Sequence, residues 1–421
     1  MQNKYDVIII GSGCSGLFCA LNLEQSKKVL IVSKTTLEEN DSHLAQGGIC
    51  VLRDEFDFND FLNDTLKAGH NENNVDAVKE MISHSQEVIA DLEKYNVVFE
   101  KENGEFKYTR EGAHSKPRIL FHKDITGQEI TSKLLIETKK RSNITMVENA
   151  TLVDIICENN RAYGAFIEYN GEVKPVFAAN VVLACGGVGG LYDNSTNYPI
   201  LTGDALTICY KNHVELKDVN YVQIHPTSLY EETKGKRFLI SESVRGEGAL
   251  LYDKNYERFI KETLARDVVA NKIFEIMKRD NTKHVWLDMR VLGKDEIMNH
   301  FPNIYKACMD RGIDPLVDLV PVVPAQHYYM GGIKVDLNSH TTMDNLFAVG
   351  ECACNGVHGR NRLASNSLLE SLVFAKKAAQ FINDDDTRCT KIDCKYYPQE
   401  LEYAKKDVIQ FVKGEKKYEF S

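Results

Sequence analysis

The sequence GSGCSG at residues 11–16 has the spacing of a loop that binds the phosphates of a dinucleotide. In such a loop Gly11 permits a tight turn, Gly13 lets the backbone approach a pyrophosphate, and Gly16 lets the next helix pack closely on the preceding strand. The first amide groups of that helix then face the phosphates. The motif therefore predicts a nucleotide-binding site.

Two arginines have surroundings that suit a buried anion. Residues 262–279 have a helical period, and a single helix over this range would place Arg266 on its apolar face. The residues of that face are Arg266, Val269, Ala270, Ile273 and Met277. An inward-pointing arginine needs an anionic partner, which is either a ligand or a carboxylate from another domain. Arg362 can bind a carboxylate through two parallel N–H donors, which fixes its orientation as well as its charge.

Two histidines are further candidates, His225 in HPT and His327 in PAQHYYMGG. A histidine taken alone is more often a structural residue than a ligand, so only the surrounding motif makes either one a candidate. Arg245, in VRGEG, is interpreted as structural, because the neighbouring glycines indicate a turn that its guanidinium would hold.

The elements that must position these residues begin with apolar strands. Residues 7–10 and 29–32 flank the glycine loop and are continuously apolar, which is typical of parallel strands buried on both faces. Two similar segments, 181–184 and 346–349, each run into glycine. Since these two segments lie far apart in the chain, a domain built from both must be interrupted by an insertion.

The pattern predicts an α/β fold in which a Rossmann-like domain is interrupted by an inserted α+β capping domain. We expect the Rossmann-like domain to comprise residues 1–218 and 329–385. The capping domain would cover residues 219–328, and residues 386–421 would form a short helical tail.

Composition excludes several classes of partner. The 51 basic and 61 acidic side chains give a net charge of -10, so the chain has no overall positive field for nucleic acid or an anionic membrane. No apolar run reaches the ~20 residues of a membrane-spanning helix, and the first residues lack the pattern of a signal peptide. We therefore expect a cytoplasmic protein. The eleven cysteines lack CxxC spacing, which predicts buried reduced thiols and no metal.

Several ordered blocks between residue 11 and about residue 370 carry a family resemblance. They read GSGCSG, SHLAQGGI, TREGAHS, ACGG, TGDA, HPT, SESVRGEGA, ARDVV, PAQHYYMGG, NLFAVGEC and HGRNRLASNSLLE. In these blocks the chain resembles the flavoprotein family of succinate dehydrogenase, fumarate reductase and L-aspartate oxidase, and within it the L-aspartate oxidases most. The members with longer chains carry a C-terminal helical domain, of which this sequence would retain only a short remnant.

The resemblance implies that the Rossmann-like domain binds FAD. The implied FAD-binding residues are Gly11, Ser12, Gly13, Cys14, Ser15, Gly16, Lys34, Asp41, Ser42, Ala45, Gln46, Gly47, Gly48, Asp204, Glu351, Ser367 and Leu368. Membrane-associated members hold FAD covalently through a histidine at the position of Asp41, so aspartate there implies noncovalent FAD. The second strand ends in Ser33 and Lys34 instead of an acid, which disfavours a simple NAD-binding enzyme.

The resemblance also implies a four-carbon dicarboxylate substrate. The residues that bind it would include His225, Thr227, Ser241, Glu242, His327 and Arg362. Of these, His225 and His327 would act in catalysis, together with Arg266 as the group that transfers a proton. Glu111, in TREGAHS, would receive a substrate ammonium group, although an exposed loop acid is the alternative. Hydride would pass from the substrate Cα to flavin N5.

The implied reaction is the oxidation of L-aspartate to iminoaspartate, with oxygen or fumarate as the electron acceptor. It would supply quinolinate and NAD synthesis, with a functional link to quinolinate synthase. A soluble fumarate reductase and a non-catalytic flavin-binding partner protein are the two alternatives that the sequence leaves open.

Overall fold

The predicted apolar strands form the centre of the largest sheet in the computed structural model, which describes residues 2–420. Its first six strands in spatial order are Ile144–Val147, Val29–Val32, Lys4–Ile10, Glu172–Leu183, Arg161–Tyr169 and Ala150–Glu158, and a seventh, Leu346–Ala348, also pairs with Glu172–Leu183. The pairs nearest the glycine loop are parallel, whereas the last three strands of the six form an antiparallel meander. The α/β fold is thus confirmed.

Alternate residues of the central strands enter two different cores. Val7 and Ile9 pack into one apolar cluster, whereas Ile8 and Ile10 pack into a second cluster on the other face. This explains the unbroken apolar run, because neither face of the strand meets water. The helices that bound the first core include Cys14–Asn22, Phe58–Ala68, Val75–Ser83, Ser85–Lys94, Thr126–Lys139 and Asn366–Asp384.

A second sheet is built mainly from the predicted insertion. Its strands are Val222–Leu229, Gly235–Lys236, Leu250–Tyr252, Val285–Asp288 and Val320–Tyr329, together with the short strand Asn194–Ser195. With the helices Glu242–Gly246, Arg266–Asp280, Lys294–His300 and Pro302–Met309 it surrounds a third apolar cluster, whose fully buried members run from Leu229 to Val322. The boundaries 219–328 stay a prediction, and Asn194–Ser195 joins this sheet from outside them.

The remaining strands form short pairings. Leu216–Lys217, Gly332–Lys334 and Ala353–Cys354 form one small sheet, Ile49–Cys50 pairs with Ile119–Leu120, and Lys101–Glu102 pairs with Glu105–Phe106. Among residues 2–420, no helix combines the length and apolarity needed to cross a membrane. All eleven cysteines are free thiols, and none is more than half exposed.

The predicted helix over 262–279 is displaced in the structure, where it runs from Arg266 to Asp280. Residues before Arg266 are held by other parts of the chain: the carbonyl of Glu262 accepts from Arg245, and that of Thr263 accepts from the amide of Ala113 at 3.2 Å. These contacts keep the backbone out of the helix. Arg266 is nevertheless buried with Val269, as its predicted position on the apolar face requires.

The tail forms a helix, Pro398–Val412, that packs on the helix Asp204–Lys211. Val408, Phe411 and Val412 are buried in the second core, and the ring of Phe411 meets that of Tyr210 edge to face at 5.3 Å between centroids. The tail therefore completes the core on this face of the sheet.

Replacing Phe411 by alanine is expected to lower the free energy of unfolding by roughly 3–5 kcal/mol, because a buried aromatic ring would leave a cavity. Tyr403 lies in the same helix and is 73% exposed, so Tyr403→Ala should change this free energy by less than about 0.5 kcal/mol. Urea unfolding followed by circular dichroism measures both variants. An equal effect of the two substitutions would contradict the packing of this helix.

Candidate active site

The glycine loop leaves no room for side chains at two of its positions. Gly11 follows the strand Lys4–Ile10 with φ +119°, and a Cβ there would lie 2.0 Å from the carbonyl oxygen of Ala184. A Cβ on Gly16 would lie 2.2 Å from the carbonyl oxygen of Gly11. Gly13 begins the helix without a side-chain cap, so the first turn presents backbone amides to a ligand. The loop thus has the cradle that a pyrophosphate requires.

One cavity of about 1870 Å³, counting the part open to solvent, contains this loop and nearly all the predicted site residues. Only three of the predicted residues lie outside its lining, namely Cys14, Gly16 and Thr227. Arg266, His327 and Arg362, which lie far apart in the chain, therefore converge on the space that the glycine loop also borders.

The three exceptions lie behind the cavity lining. Cys14 is buried in the first core, where its sulfur accepts a hydrogen bond from Ser42 at 3.2 Å. Gly16 packs beneath Gly11, so it shapes the loop without bordering the cavity. Thr227 is fully buried, and its hydroxyl donates to the carbonyl oxygen of Ile240 at 3.0 Å. Side-chain contacts of Cys14 and Thr227 with a ligand are thus not supported by their placement.

The end of the second strand lacks an acidic residue, and another part of the chain supplies one there. Lys34 forms an ion pair of 2.7 Å with Asp204, the first residue of the helix Asp204–Lys211, and also donates to the carbonyl oxygen of Ile200. Both side chains line the cavity about a third exposed. Asp204 therefore brings a carboxylate to the position where the strand itself offers only a lysine.

Unpaired acceptors line the cavity beyond the glycine loop. Asp41 accepts the amide of Tyr198 through Oδ1 at 2.9 Å, but its buried Oδ2 has no partner, and burial raises the pKa of this carboxyl to about 7. Oε1 of Gln46 is also buried without a partner. Glu351 accepts the amide of Tyr329 at 2.9 Å, and burial raises its pKa to about 8. Hydroxyl and ring N–H donors of FAD would satisfy such acceptors, so the residues fit this cofactor.

The same cavity carries several cationic or basic groups. Arg362 donates through Nη1 to Ser367 at 2.9 Å and stacks over the ring of Tyr328, while its buried Nε has no partner. Burial, followed by the nearby charge of Arg266, lowers the pKa of Arg362 to about 10. Arg362 thus stays charged at neutral pH and keeps a donor for an anion.

Arg266 is fixed by two acceptors. Its Nε donates to Glu242, and Nη1 donates to Oε1 of Gln223 at 2.9 Å. Burial alone would raise the pKa of Glu242, but the guanidinium groups of Arg266 and Arg245 outweigh burial and lower it. Arg266 and Glu242 therefore form a buried ion pair at the cavity wall.

The two histidines are neutral bases in this environment. Their rings lie 5.0 Å apart, and burial, followed by the charge of Arg266, holds the pKa of each well below its usual value. Nδ1 of His225 meets the backbone of Thr227, which leaves its buried Nε2 without a partner. His327 shares a 2.7 Å hydrogen bond with the hydroxyl of Thr196. Each imidazole ring is thus oriented by hydrogen bonding through one of its two nitrogens.

Glu111 is a buried carboxylate whose partners are neutral. Oε1 accepts from the hydroxyl of Ser243 at 2.8 Å, and Oε2 accepts from the hydroxyl of Ser365. Burial raises the pKa of Glu111, and the charge of Glu242 adds to this effect. Gly47 gives the carboxylate room, since a Cβ there would lie 2.6 Å from Oε1. The exposed-loop alternative is therefore wrong.

Some contributors were not predicted from the sequence. Gln223, Thr196 and Ser365 hold Arg266, His327 and Glu111 respectively, and Lys236 lines the cavity with its ammonium 3.6 Å from the centre of the Tyr198 ring. Gln223 has a usable sequence signal, because it precedes His225 by two positions in one strand and shares its face. Lys236 has no such sequence signal, since it lies in a strand of only two residues.

Replacing Gly16 by alanine is expected to weaken FAD binding at least about tenfold, because the new methyl group would displace the loop from the helix. Gly171 is a control for crowding away from the loop: its φ of +77° strains an alanine there, but the new Cβ meets no atom within 4 Å. Quenching of FAD fluorescence by the apoprotein measures both affinities. An unchanged affinity of the Gly16→Ala protein would contradict the role of the loop.

Comparison with known proteins agrees with this site. Residues 6–368 match the family model of the FAD binding domain. An L-aspartate oxidase of Clostridium perfringens is 48% identical over 91% of this chain and 88% of that protein, and one of Clostridium acetobutylicum is 46% identical over 91% and 89%. A solved quinol fumarate reductase of E. coli superposes with a TM-score of 0.85 at 28% identity, over 97% of this chain and 74% of that chain. The chain therefore belongs to the L-aspartate oxidase family of FAD-binding proteins.

Proposed function

We propose that this protein oxidises L-aspartate to iminoaspartate with FAD as its cofactor. The observation that carries the proposal is the buried carboxylate of Glu111, whose hydrogen-bond partners within residues 2–420 are only hydroxyls and which borders a cavity that also contains Arg266 and Arg362. A ligand that complements these groups has anionic parts and one cationic part. L-aspartate has two carboxylates and one ammonium group.

The arginines match the carboxylates of this substrate. Each buried carboxylate loses its hydration, and this cost is tolerable only where charged donors replace the water. Among the residues that the structure describes, Nε of Arg362 and Nε2 of the neutral His225 have no hydrogen-bond partner. We assign these two residues, with His327 and Ser241, to binding and orienting the carboxylates.

We assign Arg266 to the proton transfer. Oxidation of L-aspartate removes a hydride from Cα and a proton from the ammonium group, which gives the protonated imine, an iminium ion. Bound FAD supplies the oxidant that accepts the hydride. Within residues 2–420, Nη2 of Arg266 has no hydrogen-bond partner, whereas Nε and Nη1 are held by Glu242 and Gln223. Glu242 is paired with Nε of Arg266 and lies 3.8 Å from the buried Arg245, so a proton that leaves the Arg266 guanidinium has a carboxylate acceptor beside it.

The noncovalent binding of FAD is part of the proposal. Asp41 lies at the cavity wall, where no carbon–nitrogen bond to a flavin can form from a carboxylate. The nearby His43 lies outside the lining and shares a hydrogen bond with Thr131 at 3.2 Å. Oxygen and fumarate are the proposed acceptors. A functional link to quinolinate synthase and a cytoplasmic location stay predictions.

Fumarate reduction is the second candidate function, because the E. coli quinol fumarate reductase shares the fold over 97% of this chain. Glu111 favours the first candidate. A dicarboxylate without an ammonium group would be repelled by a buried carboxylate that has no cationic partner. A non-catalytic binding role is disfavoured by the convergence of Arg266, His327 and Arg362.

Replacing Glu111 by glutamine is expected to lower kcat/KM for L-aspartate about 10- to 100-fold, because a charged hydrogen bond to the ammonium group becomes a neutral one. Fumarate has no ammonium group and is repelled by the charge of Glu111, so its affinity should stay unchanged or rise in this variant. Oxygen consumption with L-aspartate and the spectral change of FAD on adding fumarate measure the two effects. An equal loss of both would contradict the role of Glu111, and a wild-type protein inactive towards L-aspartate would contradict the proposed function.

A further inference from the structure

Ser365 is a serine in an unusual position. It directly precedes the helix Asn366–Asp384 and has φ +61° and ψ 5°, in the left-handed region where glycine is favoured. Serine at the start of a helix normally turns its hydroxyl back to cap the first amides. Here the side chain makes no such cap. Ser365 thus has neither the unstrained backbone that glycine would have in this conformation nor the usual hydrogen bond of a capping serine.

The hydroxyl of Ser365 is directed instead at Glu111, whose Oε2 it donates to from 254 residues away in the chain. Ser365 is 6% exposed and borders the same cavity as Glu111. Its backbone is held independently, because its carbonyl accepts the amide of Cys50 at 3.0 Å. The conformation therefore aims a buried hydroxyl at one oxygen of a buried carboxylate.

A second hydroxyl holds the other oxygen of Glu111. Ser243 donates to Oε1 at 2.8 Å and in turn accepts from the hydroxyl of Ser241 at 3.2 Å. All three serines are buried. A chain of hydroxyls that ends on a carboxylate polarises in one direction, so each hydrogen bond strengthens the next.

These partners hold Glu111 without neutralising it. Burial and the neighbouring Glu242 both favour the protonated form of this carboxyl, whereas the charge of Arg266 and then the hydrogen bonds from Ser365 and Ser243 favour the ionised form. The guanidinium groups of Arg245 and Arg362 also act on Glu111 through their charge, without a hydrogen bond to it among residues 2–420. A lysine or arginine in place of the hydroxyls would also keep the carboxylate ionised, but it would occupy the charge that an ammonium group needs. Two hydroxyls orient the carboxylate and leave its charge available.

We infer that Ser365 and Ser243 are positioning residues that make the site specific for an amino dicarboxylate, because they keep Glu111 ionised and aimed while leaving its charge for the ammonium group of the substrate. This inference rests on the proposed function for the identity of the substrate. The effect on Glu111 itself is independent of that identity and can be measured without turnover.

The test compares Ser365→Ala, Ser365→Gly and Ser243→Ala with the wild-type protein. Loss of a hydroxyl raises the pKa of Glu111, and Glu111 must be ionised to bind the ammonium group. In the wild type kcat/KM for L-aspartate falls as pH falls through the pKa of Glu111, so in each variant this fall should begin at higher pH, by about one pH unit. The ratio of kcat/KM for L-aspartate to the affinity for fumarate should drop about tenfold or more.

Ser365→Gly separates this role from a structural one. Glycine relaxes the left-handed backbone, so the variant should keep or exceed the wild-type Tm while it loses specificity for L-aspartate. Ser339 is a matched control: it is fully buried, has φ +66°, and donates its hydroxyl to the carbonyl oxygen of Phe374 at 3.1 Å. Ser339→Ala and Ser339→Gly should leave the pH profile unchanged.

Infrared spectra recorded as a function of pH give the readout without turnover. The carboxyl band of protonated Glu111 is assigned by its absence in Glu111→Gln, and its midpoint should move to higher pH in the Ser365 and Ser243 variants. An unmoved midpoint and an unmoved pH profile would overturn the inference even if L-aspartate is oxidised. If the midpoint shifts but the protein does not oxidise L-aspartate, the positioning of Glu111 by the two serines would be supported. Only the proposed function would then be overturned.

Discussion

The feature on which this site depends is a buried carboxylate that forms no ion pair with any residue in the described part of the chain. Glu111 has neutral hydroxyl partners, although it borders a cavity that contains Arg266 and Arg362. An unpaired charge is costly to bury, and the nearby charge of Arg266 offsets part of that cost for Glu111. The arrangement becomes favourable when a ligand supplies an ammonium group to the acid and carboxylates to the arginines. Selection of an amino dicarboxylate then follows from the balance of charge.

The fold brings these charges together from distant parts of the chain. The parallel strands end at the glycine loop and at Glu351, which form one wall of the cavity, as expected for ligands at the carboxyl ends of an open sheet. The second sheet contributes His225 and His327 from two paired strands, and its helices contribute Glu242 and Arg266. The cofactor and the substrate residues therefore share one cavity because two sheets meet there.

Much of this arrangement could be predicted from the sequence, and the exceptions have physical causes. The central strands were predictable because burial on both faces makes them continuously apolar. The burial of Arg266 was predictable because its helix has an apolar face. The first residue of that helix was not predictable, since Arg245 and the amide of Ala113 donate hydrogen bonds to the carbonyls of Glu262 and Thr263. The inward turn of Thr227 follows from an irregular register between His225 and Ser228, around a proline that lacks an amide. Such effects depend on contacts between distant segments.

The most direct test of the account is anaerobic mixing of the FAD-loaded protein with L-aspartate, D-aspartate or succinate while the visible absorbance of FAD is followed. The account predicts that L-aspartate bleaches this absorbance and that the other two do not. D-aspartate carries the same charges, but its opposite configuration at Cα would direct the Cα–H bond away from the cofactor. Succinate lacks the ammonium group that Glu111 is proposed to bind. Bleaching by succinate at the rate seen with L-aspartate, or no bleaching by L-aspartate, would contradict it.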